Sequence, residues 1–179
     1  MSAVPLKNLL LRFRRNRRGS AAVEFALVAP VFFALLFAII EVALMFFASQ
    51  VLETITQQSA RMILTGQAQN ASFTQPQFKT YVCAQIPALF NCNSINVNVQ
   101  DYALFSGINL SPFNPDGTFI SNYCPGTSAK PIVVVQLSYD WPLFVTKLGF
   151  NMANHNGNRL LVATAAFQNE PFTVPAGGC

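Results

Sequence analysis

The residues best suited to chemistry are few and scattered along this chain of 179 residues. His155 is the only histidine, and it lies in an Asn-rich stretch with no neighbouring Cys or Ser that would act as a nucleophile. Asp101, Asp116 and Asp140 are not spaced as a carboxylate pair for acid–base work, and the sequence has no glycine-rich phosphate loop. We therefore expect no enzymatic activity, no cofactor and no small-molecule substrate.

The four cysteines indicate crosslinks rather than a metal site, and all of them follow the apolar segment described next. An even number of cysteines outside the cytoplasm predicts two disulfides, with three possible connectivities. Zinc sites use shorter paired spacings, usually with histidine, and the chain has no C-x₂-C motif. We favour Cys83–Cys92, which would close a local loop, and Cys124–Cys179, in which a preceding glycine pair would let the C-terminus reach.

The element that begins the body of the protein is a long apolar segment. Residues 25–40 are all apolar, Glu41 interrupts the run, and residues 42–48 are apolar again. Residues 21–40 would form about 30 Å of helix at ~1.5 Å per residue, which is enough to cross a bilayer. A secretory signal has a shorter core of ~7–15 residues, and no convincing small-x-small cleavage site follows here. We therefore expect a retained transmembrane helix.

Charge is concentrated at the N-terminus. Six of the eleven Lys and Arg lie within residues 1–18, which contain no acidic residue, and the remaining residues hold five basic and seven acidic side chains. Basic residues before a span and few after it orient the N-terminus towards the cytoplasm. A topology signal explains this stub more economically than nucleic-acid binding, which we do not expect. The predicted domains are a cytoplasmic basic leader (1–19), a transmembrane segment (20–48) and an extracytoplasmic α+β head (49–179).

The junction between the leader and the apolar segment carries a family resemblance. Residues 17–25 read RRGSAAVEF and resemble the processing signal of type IV prepilins, with a basic leader, a small residue before the cut and a glutamate at mature position five. With residues 26–30, ALVAP, the segment resembles more narrowly the TadE-like proteins of the Tad (Flp) pilus system. Residues 161–172 also resemble the end of that family, whereas the region between carries no family motif.

The resemblance implies where the chain is processed and what it contacts. It implies cleavage by a membrane aspartyl prepilin peptidase between Gly19 and Ser20, where a glycine lets the backbone approach the peptidase without a side chain in the way. It also implies that Glu24, beside Phe25, pairs with the new Ser20 ammonium of a neighbouring subunit during assembly. The implied partners are the membrane, the prepilin peptidase, other pilins and the Tad pilus assembly proteins.

The apolar segment is predicted to continue as an amphipathic helix into the head. No breaker follows Pro30 until Gly66, so we predict one helix over residues 21–65, in which a membrane helix tolerates Pro30. The predicted head-facing stripe consists of Val51, Leu52, Ile55, Ser59, Met62 and Ile63. The residues expected to face away from the head are Glu53, Thr56, Gln57 and Arg61.

Shorter elements follow in the head. Residues 67–77 are polar and predict a loop followed by the start of a short helix. Thr74 is expected to cap this helix, which should end near Gln85 and turn Phe78, Tyr81 and Val82 inward. Three segments predict strands: residues from 95 on, where polarity alternates; residues 132–141, which give the strongest strand pattern and end before Pro142; and residues 160–167, which follow an Asn-Gly turn. Strands in this order predict an antiparallel meander packed on the long helix, which is a pilin-like α+β architecture.

Two functions from different classes fit these observations. The first is a structural minor pilin or pseudopilin of a Tad-type pilus, processed after Gly19. The alternative is an uncleaved, single-pass accessory protein that binds pilus or secretion machinery. Both place the chain in the bacterial inner (cytoplasmic) membrane with its N-terminus inside and its head in the periplasm or outside, and the first also places it in the pilus.

Overall fold

The computed structural model describes residues 19–86, 89–126, 132–144 and 151–170. The elements within these ranges are α1 (Ser20–Leu64), α2 (Gln67–Asn70), α3 (Gln75–Ala84), β1 (Ile95–Tyr102), β2 (Ile132–Trp141) and β3 (Arg159–Gln168). Single 3₁₀ turns lie at Cys92–Ser94 and Phe105–Gly107. A long apolar N-terminal helix and a small antiparallel sheet confirm the predicted α+β, pilin-like fold.

Helix α1 is a single helix of 45 residues, as predicted, and Pro30 does not interrupt it. At ~1.5 Å per residue it is about 68 Å long. It ends where Gly66 takes a left-handed conformation with φ of 73°, which glycine adopts without a steric penalty. The Gly66 N–H donates to the carbonyl of Ile63 at 2.9 Å, which caps the last turn.

The predicted cap of the short helix α3 is confirmed. Thr74 precedes α3, and its backbone N–H donates to Gln77 Oε1 at 2.8 Å, as in a capping box. Phe78 and Val82 are fully buried, whereas Tyr81 is only half-buried. The preceding segment was expected to be loop throughout, but residues 67–70 form one helical turn, α2, directly after the left-handed residue that ends α1.

The sheet has the strand order β1-β2-β3 with both pairs antiparallel, which confirms the predicted meander. Strand β2 ends at Trp141, directly before Pro142, because proline cannot donate to the ladder. Before β3, Asn156 and Gly157 have φ of 46° and 78°, the conformation that the Asn-Gly signal predicts.

The sheet packs one face on α1 and the other on a connecting segment. Val133, Val135 and Leu137 of β2 are fully buried in the core shared with α1. The opposite face of β2 is also buried, and the connection after β1 lies over it where Gln136 Nε2 donates to the Leu110 carbonyl at 3.0 Å. The end of the same connection follows the outer edge of β1, where the Val99 N–H donates to the Asn122 carbonyl at 2.9 Å. The long connection between β1 and β2 therefore forms an outer layer, which the sequence did not predict.

The head-facing stripe of α1 agrees with the prediction except at one residue. The buried members are Leu52, Ile55, Ser59 and Ile63, with Val51 and Met62 partly buried. Thr56, expected to face away, is fully buried, and this prediction was wrong. Its hydroxyl donates to the Leu52 carbonyl at 2.8 Å. Because this hydrogen bond satisfies the hydroxyl within the helix, Thr56 can be buried in the core.

One predicted disulfide is confirmed. Cys83, near the end of α3, is bonded to Cys92, just before β1, with Cα atoms 5.6 Å apart. The other predicted pair, Cys124–Cys179, includes a residue outside the described ranges. Cys124 Sγ lies 3.0 Å from Asp101 Oδ1, and the Cys124 N–H donates to the Val99 carbonyl at 2.8 Å, at the edge of β1 that faces away from β2.

Candidate assembly and membrane site on helix α1

The first half of α1 carries no buried residue. Between Ser20 and Ile40 the side chains are exposed, apart from three small residues that are half-buried. The large exposed apolar residues of this half are Val23, Phe25, Leu27, Val28, Val31, Phe32, Phe33, Leu35, Leu36, Phe37, Ile39 and Ile40. An apolar surface of this extent marks a membrane or protein interaction site, because soluble monomers rarely expose contiguous patches beyond a few hundred Å².

The same helix is long and apolar enough to cross a membrane. Residues 20–40 alone span ~31 Å at ~1.5 Å per residue, close to the thickness of a bilayer core. These residues are apolar around the whole circumference of the helix beyond Glu24, which is typical of a membrane span rather than of a surface helix.

The predicted processing residues lie at the exposed N-terminal end of α1. Gly19 precedes the helix with φ of −100°, which any residue can adopt, and no atom lies within 4 Å of a Cβ placed there. The fold of the subunit therefore does not require a glycine at this position.

The predicted assembly residues lie one turn further along. The Ser20 hydroxyl donates to Glu24 Oε1 at 3.5 Å, so the structure brings these two side chains together on one face of the helix. Glu24 and Phe25 are both exposed. The Glu24 carboxylate is therefore accessible to a cationic group of another molecule.

Glu41 is a site residue that the sequence analysis did not identify. It is the first buried residue of α1, and its carboxylate accepts a hydrogen bond from the backbone N–H of Phe144, just after β2. The signal was present in the sequence: Glu41 interrupts the apolar run and is in step with Met45, Ala48 and Leu52, the buried stripe of the helix. The side chain joins the head to the helix where the uncovered half ends.

A second contact fastens the head at the other end of α1. The backbone N–H of Glu170, just after β3, donates to the Leu64 carbonyl at 3.1 Å. From Glu41 to Leu64 the helix rises ~35 Å, and strands β2 and β3 of ten residues each span ~33 Å. The sheet therefore runs along the full covered half of α1 and leaves the other half bare.

The titratable residues of the head form contacts that hold loops rather than a reaction centre. His155 Nδ1 lies 2.8 Å from Asp140 Oδ1, and the imidazole stacks on Phe113 with ring centroids 4.6 Å apart. The contact with Asp140 joins the turn before β3 to β2, and the stacking on Phe113 joins the same turn to the connection between β1 and β2. In the described parts of the chain, no cluster of three or more His, Cys, Asp or Glu is arranged to hold a metal ion.

An open groove of about 390 Å³ lies between α1 and β3. Its polar lining residues are Gln57, Arg61 and Thr164, and the rest of the lining is apolar or small. None of the lining residues is a carboxylate, histidine or cysteine, so the groove offers no general base and no nucleophile near neutral pH.

The comparison with known families agrees with this reading of α1. Residues 19–61 match the model of the TadE-like protein family. That match confirms the resemblance at the start of the apolar segment, whereas the resemblance of residues 161–172 lies outside the matched residues and stays a prediction. The matched TadE-like segment begins at Gly19 and ends inside α1, so it covers the uncovered half, the Glu41 contact and most of the covered half, but not the sheet. No curated protein and no solved structure gave a significant match.

The matched residues after Gly19 lie within α1, the helix that is long and apolar enough to cross a membrane. TadE-like proteins are a structural, pilus-associated family, and this agrees with a site composed of an apolar helix face and one exposed carboxylate.

Proposed function

We propose that this protein is a structural minor pilin or pseudopilin of a Tad-type pilus. The observation that carries the proposal is the division of α1: residues 20–40 are not buried against any part of the subunit that the structure describes, although they belong to the same helix as the core of the head. The apolar surface of this half would be buried by lipid before assembly and by other subunits after assembly. The TadE-like match over this helix supports the same function.

In the membrane-bound state, the leader of residues 1–19 lies in the cytoplasm and the head lies in the periplasm. The basic residues of the leader support this orientation. Within the segment 20–48, residues 20–40 cross the hydrocarbon of the bacterial inner membrane, and residues 41–48 continue into the head, where Glu41, Met45 and Ala48 are buried.

Processing by a prepilin peptidase between Gly19 and Ser20 creates a new N-terminal ammonium at Ser20. The fold does not need a glycine at position 19. The peptidase does, because its catalytic carboxylates must approach the backbone of the scissile bond without a side chain in the way. This explains why a residue with free space around it is glycine.

In the assembled state, Glu24 of one subunit pairs with the Ser20 ammonium of a neighbour. The Glu24 carboxylate is exposed, and its one polar contact in the described ranges is the neutral Ser20 hydroxyl. When assembly removes the Glu24 carboxylate from water, it needs a cation beside it, because a buried carboxylate without a cation is strongly unfavourable. The pair would therefore set the register between helices, together with the partners already named: other pilins and Tad assembly proteins.

Replacement of Gly19 by valine tests the processing step. Gly19→Val is expected to abolish cleavage and to leave membrane insertion intact, because the side chain obstructs the peptidase while the leader and the span are unchanged. The measurement is an immunoblot that separates the precursor from the processed form, with carbonate extraction of membranes to test insertion.

Gly107→Val is the matched control, because Gly107 also has free space around its Cβ position and a φ accessible to other residues, but lies in the head. It should be cleaved normally. Normal cleavage of Gly19→Val would contradict the proposed processing site, and absence of cleavage in the wild type would favour the uncleaved accessory protein.

A further inference from the structure

The underside of the head carries an exposed apolar loop. Strand β2 stops at Pro142, and Phe144, two residues later, is 81% exposed. The backbone N–H of Phe144 donates to the carboxylate of Glu41, which is itself 7% exposed. Phe144 is therefore held beside the first buried residue of α1, with its ring outside the core.

The position of Glu41 along α1 gives the depth of this loop. Glu41 lies 21 residues after Ser20, which corresponds to ~31 Å of helix. When residues 20–40 occupy a hydrocarbon core of ~30 Å, Glu41 and Phe144 lie at its outer boundary.

Helix α1 presents further apolar side chains directly after this level, ~4.5–9 Å further along its axis. Leu44, Phe46 and Phe47 are exposed on the two turns that follow Glu41. They lie on the sides of α1 that the head does not cover, whereas Phe144 projects from the head itself. We call these four exposed apolar residues, three on α1 and one on the head, the collar.

The collar continues the bare surface of residues 20–40 because, among the described residues, the charged side chain at this level is directed inward. Glu41 would interrupt an apolar surface if it were exposed, but it is buried against the head. The same contact satisfies the backbone N–H of Phe144, so this donor is paired when the loop enters an apolar layer.

We propose that the collar seats the head on the membrane by inserting Phe144, with Leu44, Phe46 and Phe47, into the outer boundary of the lipid bilayer. The occupant of this surface is lipid, since the collar is continuous with the span and lies at the depth where the hydrocarbon ends. Glu41 positions the loop that carries Phe144. This inference rests on the proposed membrane-spanning role of residues 20–40 and adds a second, head-borne contact with the bilayer.

Tryptophan scanning in vesicles tests the collar. The full-length protein carrying Phe144→Trp is reconstituted into phosphatidylcholine vesicles, with or without lipids brominated near the carbonyl end of the acyl chain. The native Trp141 is buried in the core and provides the baseline in the wild type. We expect the added fluorescence of Phe144→Trp to be strongly quenched by the brominated lipid.

Phe105→Trp is the matched control, because Phe105 is also an exposed phenylalanine of the head and follows β1 at the opposite end of the sheet. The register of Tyr102 with Ile132 places that end near Leu64, far from Glu41. Phe105→Trp should show no quenching beyond the wild-type baseline. Equal quenching at positions 144 and 105 would overturn the proposal.

A third variant separates failure of the collar from failure of the span. Phe37→Trp introduces the probe within residues 20–40, so it should be quenched if these residues cross the membrane. Quenching of Phe37→Trp without quenching of Phe144→Trp overturns the collar alone, whereas quenching of neither overturns the span as well.

A photo-crosslinking phenylalanine analogue at position 144 tests for a protein occupant in cells. Lipid adducts without a discrete protein adduct are expected before pilus assembly. A discrete protein adduct in their place would overturn the assignment of the collar to lipid.

Discussion

Residues 20–40 and 41–64 belong to one unbroken helix, yet only the second half is part of a folded core. The first half is apolar on all sides beyond Glu24, whereas the second half has an apolar stripe on one side and Glu53, Gln57 and Arg61 on the other. The distribution of polar residues around the helix, rather than the number of apolar ones, therefore decides which half packs on its own sheet. The half without a polar side is the one that we propose contacts lipid and other subunits.

The largest expected effect comes from the single charge of the bare half. Glu24→Ala should be processed and inserted nearly as the wild type but should abolish recovery of pili by shear, because the Ser20 ammonium of a neighbour loses its partner. Removing one member of a desolvated pair costs ~3–5 kcal/mol. Glu24→Gln should be nearly as defective, since it keeps a hydrogen bond but not the charge.

Glu53→Ala is the control for this charge, because Glu53 is an exposed glutamate on the covered half of the same helix. Its carboxylate accepts a hydrogen bond from Gln57 Nε2 at 3.3 Å within the helix. Piliation by Glu53→Ala should be normal. Normal piliation by both Glu24 variants would contradict the assembly role of Glu24.

The two halves should also respond differently to the loss of one leucine. Leu52→Ala should destabilise the head by about 2–5 kcal/mol, because Leu52 is 1% exposed in the core and the substitution leaves a cavity. Leu27→Ala, at a residue that is 72% exposed on the bare half, should change the stability of the head by less than ~0.5 kcal/mol. The measurement is urea unfolding in detergent micelles, followed by the fluorescence of Trp141. Equal destabilisation by the two variants would remove the distinction between the halves.

A smaller loss is expected when the disulfide of the head is removed. The double variant Cys83→Ser, Cys92→Ser should lower the free energy of unfolding of the head by about 2.5 kcal/mol, as loop-closure entropy predicts for a sequence separation of 9. Membrane insertion should be unchanged, because the crosslink is confined to the head.

Asn93→Ser, an exposed substitution within the same loop, is the control and should leave the unfolding curve unchanged. Equal unfolding curves for the cysteine variant and the wild type would show that the crosslink does not contribute to the stability of the head.

The elements that the sequence predicted well are those with local signals. The end of α1 follows from Gly66, the cap of α3 from Thr74, and the end of β2 from Pro142, because each residue restricts its own backbone or that of its neighbours. The Cys83–Cys92 pair was accessible for the same reason, since it closes a short loop. The family match then confirmed the resemblance read from residues 17–30.

The features that the sequence missed depend on contacts between distant parts of the chain. Glu41 and Phe144 are 103 residues apart, and their contact depends on how far the head folds back along α1. The outer layer over β2 depends in the same way on the path of residues 103–126. Thr56 was misassigned because its polarity was weighed without the intrahelical hydrogen bond to Leu52. The roles of Gly19, Ser20 and Glu24 stay predictions, because they concern a peptidase and neighbouring subunits.

The smallest expected effect is a pH dependence confined to the head. Burial raises the pKa of Tyr123 to about 12, from an ordinary value of 10.0, and its hydroxyl has no hydrogen-bond partner in the described ranges. Between these pKa values the unfolded chain loses the phenolic proton first, so the stability of the head falls as the pH rises through this window. Tyr123→Phe should reduce that fall and be close to neutral at pH 7, since no hydrogen bond is lost.

Urea unfolding of wild type and Tyr123→Phe at pH 7 and above pH 10 measures this effect. Identical pH dependence in the two proteins would contradict the assignment to Tyr123. Insertion of the bare half of α1, whose exposed residues contain no tyrosine, should not depend on pH in this range.

The N-terminal residue of the protein recovered from sheared pili tests the central claim most directly. The claim is that the bare half of α1 is released from its leader and incorporated into a filament. We predict recovery of this protein in the pilus fraction with Ser20 as its first residue, determined by N-terminal sequencing or by mass spectrometry of the intact chain. Recovery only from the membrane, with Met1 or another residue of the leader at the N-terminus, would contradict the claim.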